Sequence, residues 1–251
     1  MTDPCSYLDW DSAFFHKRIA RVNGHLITPD SISPILEWCE QNNIDCLYFE
    51  CASDNDTSVV VAEEAGFHLV DIRVELNCKM ADEPIPPARK PRLFQESDLE
   101  PLQEIASNAY RDSRFYYDSN FSREQASELY RHWITKSCQG YANAVFVIDH
   151  NDHPSAFITC HVEHAGGGKI GLVGVSQDAR STGLGISLIR TAQNYFYDKG
   201  IHEINVVTQG RNIPAQRLYQ LNGFKTSSVT LWFHRWKEIT KQPEMLNGPG
   251  S

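Results

Sequence analysis

One internal correspondence constrains this chain more than any other feature. Shifting the numbering by 157 places Ile44 on Ile201, Asn55 on Asn212, Gly66 on Gly223 and Phe67 on Phe224, with no gap over about 24 positions. Both segments read as a strand, an Asn, a helix, a Gly-Phe pair and a further strand. Glycine just past a helix is a stop signal, because it adopts the left-handed conformation that ends the last turn. The chain is therefore expected to contain an internal half-repeat. The two copies differ in chemistry: Ala62 stands where the second copy has Tyr219, and the first copy has no glycine-rich turn before its helix.

Around this repeat the chain reads as two units. In the first, Ser31 to Glu40 has helical spacing, with Ile35, Leu36 and Cys39 on one face. Ile44 to Cys51 is an apolar run rich in β-formers, Asp54 to Ala65 is helical, and Phe67 to Leu76 alternates as a strand does. A strand or hairpin is expected around Phe14 to Ile27. Four prolines between Glu83 and Pro91 exclude helix and central strand, so this segment reads as a linker. In the second unit, Ser97 to Tyr110 and Arg123 to Ser137 read as helices flanking an aromatic, polar loop. Strands follow at Ala144 to Ile148, Ala156 to Val162 and Lys169 to Val175. A helix from Gly183 to Lys199, a strand from Glu203 to Thr208, a short helix near Pro214 to Leu221 and a strand from Val229 to Arg235 complete it. The expected domains are 1–82, a linker at 83–91, a second domain at 92–238 and a tail at 239–251.

Charge and cysteine usage narrow the partners. Twenty-three Lys and Arg against 32 Asp and Glu leave a net charge of −9, without the basic footprint of a general nucleic-acid binder. No run approaches the ~20 apolar residues of a membrane span, and the N-terminus lacks a basic-then-apolar signal. No nucleic-acid or membrane partner is expected. The seven cysteines are odd in number and none form a C-x-x-C pair, which suits reduced, buried thiols in the cytoplasm better than a disulfide framework or a zinc site. His161 and His164 lie three apart in a strand and so point to opposite faces, and no metal is expected.

The segment from Ile170 to Ile189 carries the chemistry. An apolar strand runs into Arg180, Ser181, Thr182, Gly183, Leu184, Gly185 and Ile186, and then into an amphipathic helix. Glycines let a backbone approach a ligand closely, and the first helical turn presents unpaired N–H groups and partial positive charge. A pyrophosphate is a natural guest there, with Arg180 adding charge at the rim. The spacing is neither that of a P-loop nor G-x-G-x-x-G. Taken alone, an ordinary strand-to-helix turn also accounts for two glycines.

The loop R-x-x-G-x-G, Arg180 to Gly185, is followed downstream by N-x-P-A-x-x-x-Y-x-x-x-G-F, Asn212 to Phe224. Together with the preceding strand, this pattern resembles the GNAT acyltransferase superfamily from about Leu93 to Arg235. The resemblance implies acetyl-CoA as the acetyl donor. It sets Val173 and Val175 on the strand that pairs with the pantetheine arm, and Arg180 to Ile186 on the pyrophosphate loop. It also sets Asn212 facing the cofactor and Tyr219 near the thioester sulfur, as catalytic acid. From the residues alone, Asn212 also reads as a helix cap and Tyr219 as a core aromatic. Glu163 is a candidate base, or else a solvated carboxylate on a strand.

Leu8-Asp-Trp-Asp-Ser-Ala-Phe-Phe15, Ser113-Arg-Phe-Tyr-Tyr-Asp118 and Arg131-His-Trp-Ile134 further resemble the TDP-4-amino-4,6-dideoxygalactose N-acetyltransferases, which carry a small N-terminal domain like a partial GNAT fold. The fold implied is α/β: a GNAT-type mixed, twisted sheet flanked by helices, preceded by a smaller αβ domain. The activity implied is acetyl transfer to a small-molecule amine, a TDP-amino sugar. From the residues themselves, the loop Arg111 to Phe121 reads as lying over the acceptor, with Arg114 on an acceptor phosphate and Asp118 orienting an amine or hydroxyl, or else as a solvated loop anchored to the core by its aromatics. A homodimer is left open. Acetylation of another amine, or acyl-CoA binding without turnover, are the alternatives.

Overall fold

A computed structural model describes residues 3–80, 83–163 and 166–237; the expected tail from 239 and His164 lie outside the described residues. The chain divides into two compact units. One comprises residues 1–51, 55–68 and 233–251, and the other residues 52–54 and 69–232.

The first unit contains β1 (Cys5–Tyr7), α1 (Asp9–Phe15), β2 (Ile19–Val22), α2 (Pro29–Gln41), β3 (Cys46–Ala52) and α3 (Asp56–Glu64). β1 pairs antiparallel with β2, and β2 parallel with β3. A capping box starts α2: Thr28 Oγ1 accepts from Ser31 N–H, and Thr28 N–H donates to Ser31 Oγ. Ile35 and Cys39 turn inward from that helix. The core includes Phe49, whose ring meets Phe67 and Phe233 at 6.1 and 6.2 Å. Full burial of each such side chain contributes roughly 1.5–3 kcal/mol. The strand expected around Phe14 to Ile27 is present as the short β2, preceded by the end of α1. Trp10 and Phe14, one helical turn apart, stack at 5.1 Å on α1. Their β-forming character is overridden by this contact.

β4 (His68–Lys79) leads into the second unit. There follow β5 (Arg92–Leu93), α4 (Leu99–Ala109), α5 (Arg114–Tyr117), α6 (Arg123–Lys136), β6 (Ala144–His150), β7 (His153–Val162) and β8 (Gly168–Val175). The unit is completed by α7 (Leu184–Asp198), β9 (Glu203–Gln209), α8 (Ile213–Leu221) and β10 (Lys225–Trp236). The sheet order is β10-β4-β9-β8-β7-β6-β5. It is mixed: β8 and β9 are parallel, while the β4–β9 and β5 to β8 pairings are antiparallel. Leu184, Leu188, Ala192 and Phe196 bring α7 onto this sheet, where Ile158, Ile170, Ile204 and Val206 are also buried.

The half-repeat is present in the fold, and it is longer than its sequence signal. β3, α3 and β4 have the same bounds as β9, α8 and β10 when shifted by 157. Asn55 Oδ1 accepts from Ser58 N–H, as Asn212 Oδ1 does from Ala215 N–H. Phe67 N–H donates to Ala62 O at 2.9 Å, and Phe224 N–H to Tyr219 O at 3.1 Å. Gly66 and Gly223 have φ of +79° and +85°. β4 lies beside β9, with Arg73 opposite Gln209 and Lys79 opposite Glu203. The proline-rich segment is held against α7, where Asn194 Nδ2 donates to Ile85 O and Arg89 N–H to Ser187 Oγ. Among the described residues no helix is long and apolar enough to cross a membrane.

Candidate active site

The site begins where two parallel strands part. β8 pairs with β9 only from Gly168 to Ile170, opposite Ile204 to Val206. Further along, β8 keeps its other neighbour, with Val173 opposite Ile158 and Val175 opposite Ala156. The main chain of Leu172 to Val175 thus turns a side without strand pairing toward β9. The register with β7 shifts between Ile158 and Cys160, and Thr159 Oγ1 fills the irregularity by accepting from Leu172 N–H at 2.8 Å. A Cβ on Gly171 would lie 2.5 Å from His161 Nε2 and 2.7 Å from Thr159 Oγ1, so only glycine fits at this bulge. Tyr110, at the end of α4, donates its hydroxyl to Val173 O at 2.9 Å.

Past β8 comes the glycine loop. Gly183 has φ +85° and Ser181 φ +63°, both left-handed, and Thr182 Oγ1 donates to Ala179 O at 2.6 Å. The first turn of α7 is closed by Ser187 N–H donating to Gly183 O at 3.1 Å. The N–H groups of Leu184, Gly185 and Ile186 therefore precede the helical ladder. Between α4 and this loop lies a cleft of about 550 Å³ lined by Glu104, Asn108, Arg111, Val175, Asp178 and Arg180. The early N–H groups and the positive end of the helix suit an anionic ligand, with Arg180 in the lining beside the loop. The parted strands offer an extended arm its hydrogen bonds. This donor set fits acetyl-CoA: the N–H groups of Leu184 to Ile186 and Arg180 would hold its pyrophosphate, and the main chain of Val173 to Val175 its pantetheine.

Tyr219 lies on α8 with its ring 5.9 Å from that of Phe224. It is 5 % exposed, and burial pushes its phenol above the ordinary value. Tyr110 is half-buried, and its phenol is also raised, first by desolvation and then by the neighbouring Tyr219 and Tyr130. Asn212 gives its Oδ1 to the α8 cap. Glu163 stands at the β7–β8 turn, the end of β8 away from Val175, where it accepts from Asn205 Nδ2 at 3.2 Å. It thus lies at the end of β8 opposite to Val173 and Val175, a placement that suits the alternative reading of a carboxylate on a strand.

The aromatic loop contains one helical turn, α5. Arg114 lies over the rings of Trp232 and Phe115, at 4.1 and 4.4 Å. Asp118 is buried, and its Oδ1 accepts from the backbone and side chain of Asn120. Two residues that the sequence reading passed over join this wall. Arg211 donates from Nη1 and Nη2 to Val70 O at 3.1 and 3.2 Å, and stacks on Tyr117 at 3.6 Å. Asp71, on β4, is 5 % exposed and meets Arg211 Nη1 at 3.5 Å. Arg211 could have been noticed as the neighbour of Asn212. Asp71 had no local signal inside the alternating strand.

Two parallel strands thus part beside a glycine-loop helix, and a buried tyrosine, Tyr219, lies on α8. Residues 102–224 match the family model described as the acetyltransferase (GNAT) family, and the chain carries a GNAT acetyltransferase domain. It is an acetyltransferase, and acetyl-CoA is the acetyl donor. Over 242 residues it is 27% identical to the dTDP-fucosamine acetyltransferase of Escherichia coli O6:H1, covering 91% of this chain and 96% of that one. It is 22% identical over 142 residues to a spore coat polysaccharide biosynthesis protein of Bacillus subtilis, covering 57% and 49%. Its fold is similar to that of a GCN5-related N-acetyltransferase from Sphaerobacter thermophilus. The TM-score is 0.66 at 16% identity, covering 92% of this chain and 76% of the other.

Proposed function

We propose that this acetyltransferase acts on the amine of a nucleotide-linked amino-deoxysugar, by direct transfer. The observation that carries the reading is the similarity to the dTDP-fucosamine acetyltransferase, which runs through both halves of the chain and leaves only 4% of the relative unmatched. The similarity to a spore coat polysaccharide biosynthesis protein is in keeping with a carbohydrate acceptor. So does the wall of Arg114, Tyr117 and Arg211, which offers guanidinium groups for phosphate and a ring face for stacking. A cytoplasmic location goes with an acetyl-CoA donor.

Bound acetyl-CoA supplies the activated acyl carbon. Val173 and Val175 hold the arm by their main chain, and N–H groups there receive the carbonyl oxygen as it gains charge. Arg180 and residues Ser181, Thr182, Gly183, Leu184, Gly185 and Ile186 hold the pyrophosphate, and the side-chain amide nitrogen of Asn212 faces the arm. Tyr219 gives its proton to the departing thiolate. Its raised pKa keeps it protonated at neutral pH. Arg114 pairs with an acceptor phosphate, and Asp118 orients the acceptor through the loop that it braces.

A thiol-release assay tests this. Purified protein and acetyl-CoA would be mixed with TDP-4-amino-4,6-dideoxygalactose, its C4 epimer, a 3-amino TDP-sugar and simple polyamines. Release on a TDP-amino sugar at a kcat/KM at least 100-fold above that for polyamines is expected. A preference for polyamines would overturn the reading.

A further inference from the structure

The first half-repeat lacks the glycine loop and the tyrosine, so it has no transfer chemistry of its own. What it gives to the second unit is β4, and β4 brings Asp71 to the acceptor wall. We infer that Asp71 is the positioning residue of this wall: it fixes Arg211, which in turn holds Asp112 and Tyr117, so that Arg211, Tyr117 and Arg114 form one rigid surface for the acceptor. The inference rests on the reading of the 111–121 loop as the acceptor wall.

Two contacts meet at the Asp71 carboxylate. Oδ1 accepts from Ile72 N–H at 2.9 Å and faces Arg211 Nη1 at 3.5 Å. The carboxylate thus holds its own strand and the segment just past β9. Arg211 closes the arrangement from the other side: it is bound to Val70 O, reaches Asp112 O at 3.4 Å, and lies flat on Tyr117. Tyr117 is 58 % exposed, so this stack presents a ring to solvent rather than filling a core. A charged carboxylate at 5 % exposure is costly in a protein interior. An amide of the same shape would meet the backbone donor without that cost, so the retained carboxylate suits the holding of Arg211. β10, the matching strand of the second half, has Ser228 at the corresponding position, so this acid is not a general feature of the repeat.

The test is Asp71→Asn in the full-length protein. The substitution keeps the shape, and Arg211 retains its bonds to Val70 O and Asp112 O, so folding is preserved. Two readouts decide. The first is hydrogen exchange without ligand: amides of residues 112–118 are expected to exchange at least 10-fold faster in the variant, with those of α7 unchanged. The second is steady-state kinetics with the best amino sugar of the panel. The acceptor KM is expected to rise at least 10-fold, with the acetyl-CoA KM within twofold. Arg211→Lys keeps the charge but loses the planar stack and fork, and should give the same KM pattern. An unchanged acceptor KM, or equal loss for both substrates with a lowered Tm, would overturn the inference. If no amine on the panel were acetylated, the amino-sugar reading would fall, and the exchange measurement alone would decide the role of Asp71.

Discussion

The hydroxyl of Tyr110 donates to the carbonyl of Val173 at 2.9 Å, tying the end of α4 to a strand that has left its parallel neighbour. Tyr110 stacks on Tyr130 at 4.3 Å, so the donor is fixed by packing. Tyr110→Phe removes one neutral hydrogen bond, worth about 0.5–1.5 kcal/mol. A Tm lowered by a few degrees is expected in calorimetry, together with a rise of about 5-fold in the acetyl-CoA KM. A changed acceptor KM with an unchanged acetyl-CoA KM would show that Tyr110 serves another purpose.

Tyr219→Phe removes the proposed acid and little volume. General acid catalysis is worth about 100-fold or more, so kcat should fall by about that factor while the acetyl-CoA dissociation constant stays within threefold by calorimetry. Because burial raises the Tyr219 pKa, wild-type kcat should show no loss from this group between pH 7 and 9.

Gly183→Ala probes the loop backbone. A Cβ there meets nothing within 4 Å, but the residue has φ +85°. The left-handed conformation costs a non-glycine residue roughly 1–2 kcal/mol. A matching loss of stability is expected, with an acetyl-CoA KM raised about 10-fold as the loop relaxes. The acceptor KM should be unaffected.

Asp71 gives a pH signature. Burial pushes its pKa up to about 6, against the pull of Arg211 and the Ile72 N–H. A raised folded-state pKa means that the native protein binds the proton more tightly than the unfolded chain. The stability from this proton is present below about pH 4 and is lost as pH rises through 6. Relative to Asp71→Asn, the wild type should lose on the order of 2–3 kcal/mol between pH 4 and 7 in urea titrations. A flat difference would contradict the burial argument.

Much of the architecture was legible because its signals are local. The Asn caps, the Gly-Phe stops and the alternation of β-forming residues each lie within a few positions, so α3, α8, β9 and the glycine loop could be read directly. The short helix α1 was hidden because it has no side-chain cap and its aromatics resemble a strand. The pairing of β4 with β9 was invisible, since an alternating strand carries the same pattern whichever partner it takes. Asp71, Tyr110 and Arg211 acquire their roles only through contacts with residues distant in the chain, including Val173 and Tyr117.

The central claim is acetyl transfer to a sugar amine, and product analysis tests it most directly. TDP-4-amino-4,6-dideoxygalactose and acetyl-CoA would be incubated with the wild type and with Tyr219→Phe, and the product examined by mass spectrometry and NMR. The expected result is one acetyl group as an amide on the C4 nitrogen, formed with stoichiometric CoA and about 100-fold more slowly by the variant. An unmodified sugar in the presence of an enzyme that acetylates polyamines or peptides would contradict it.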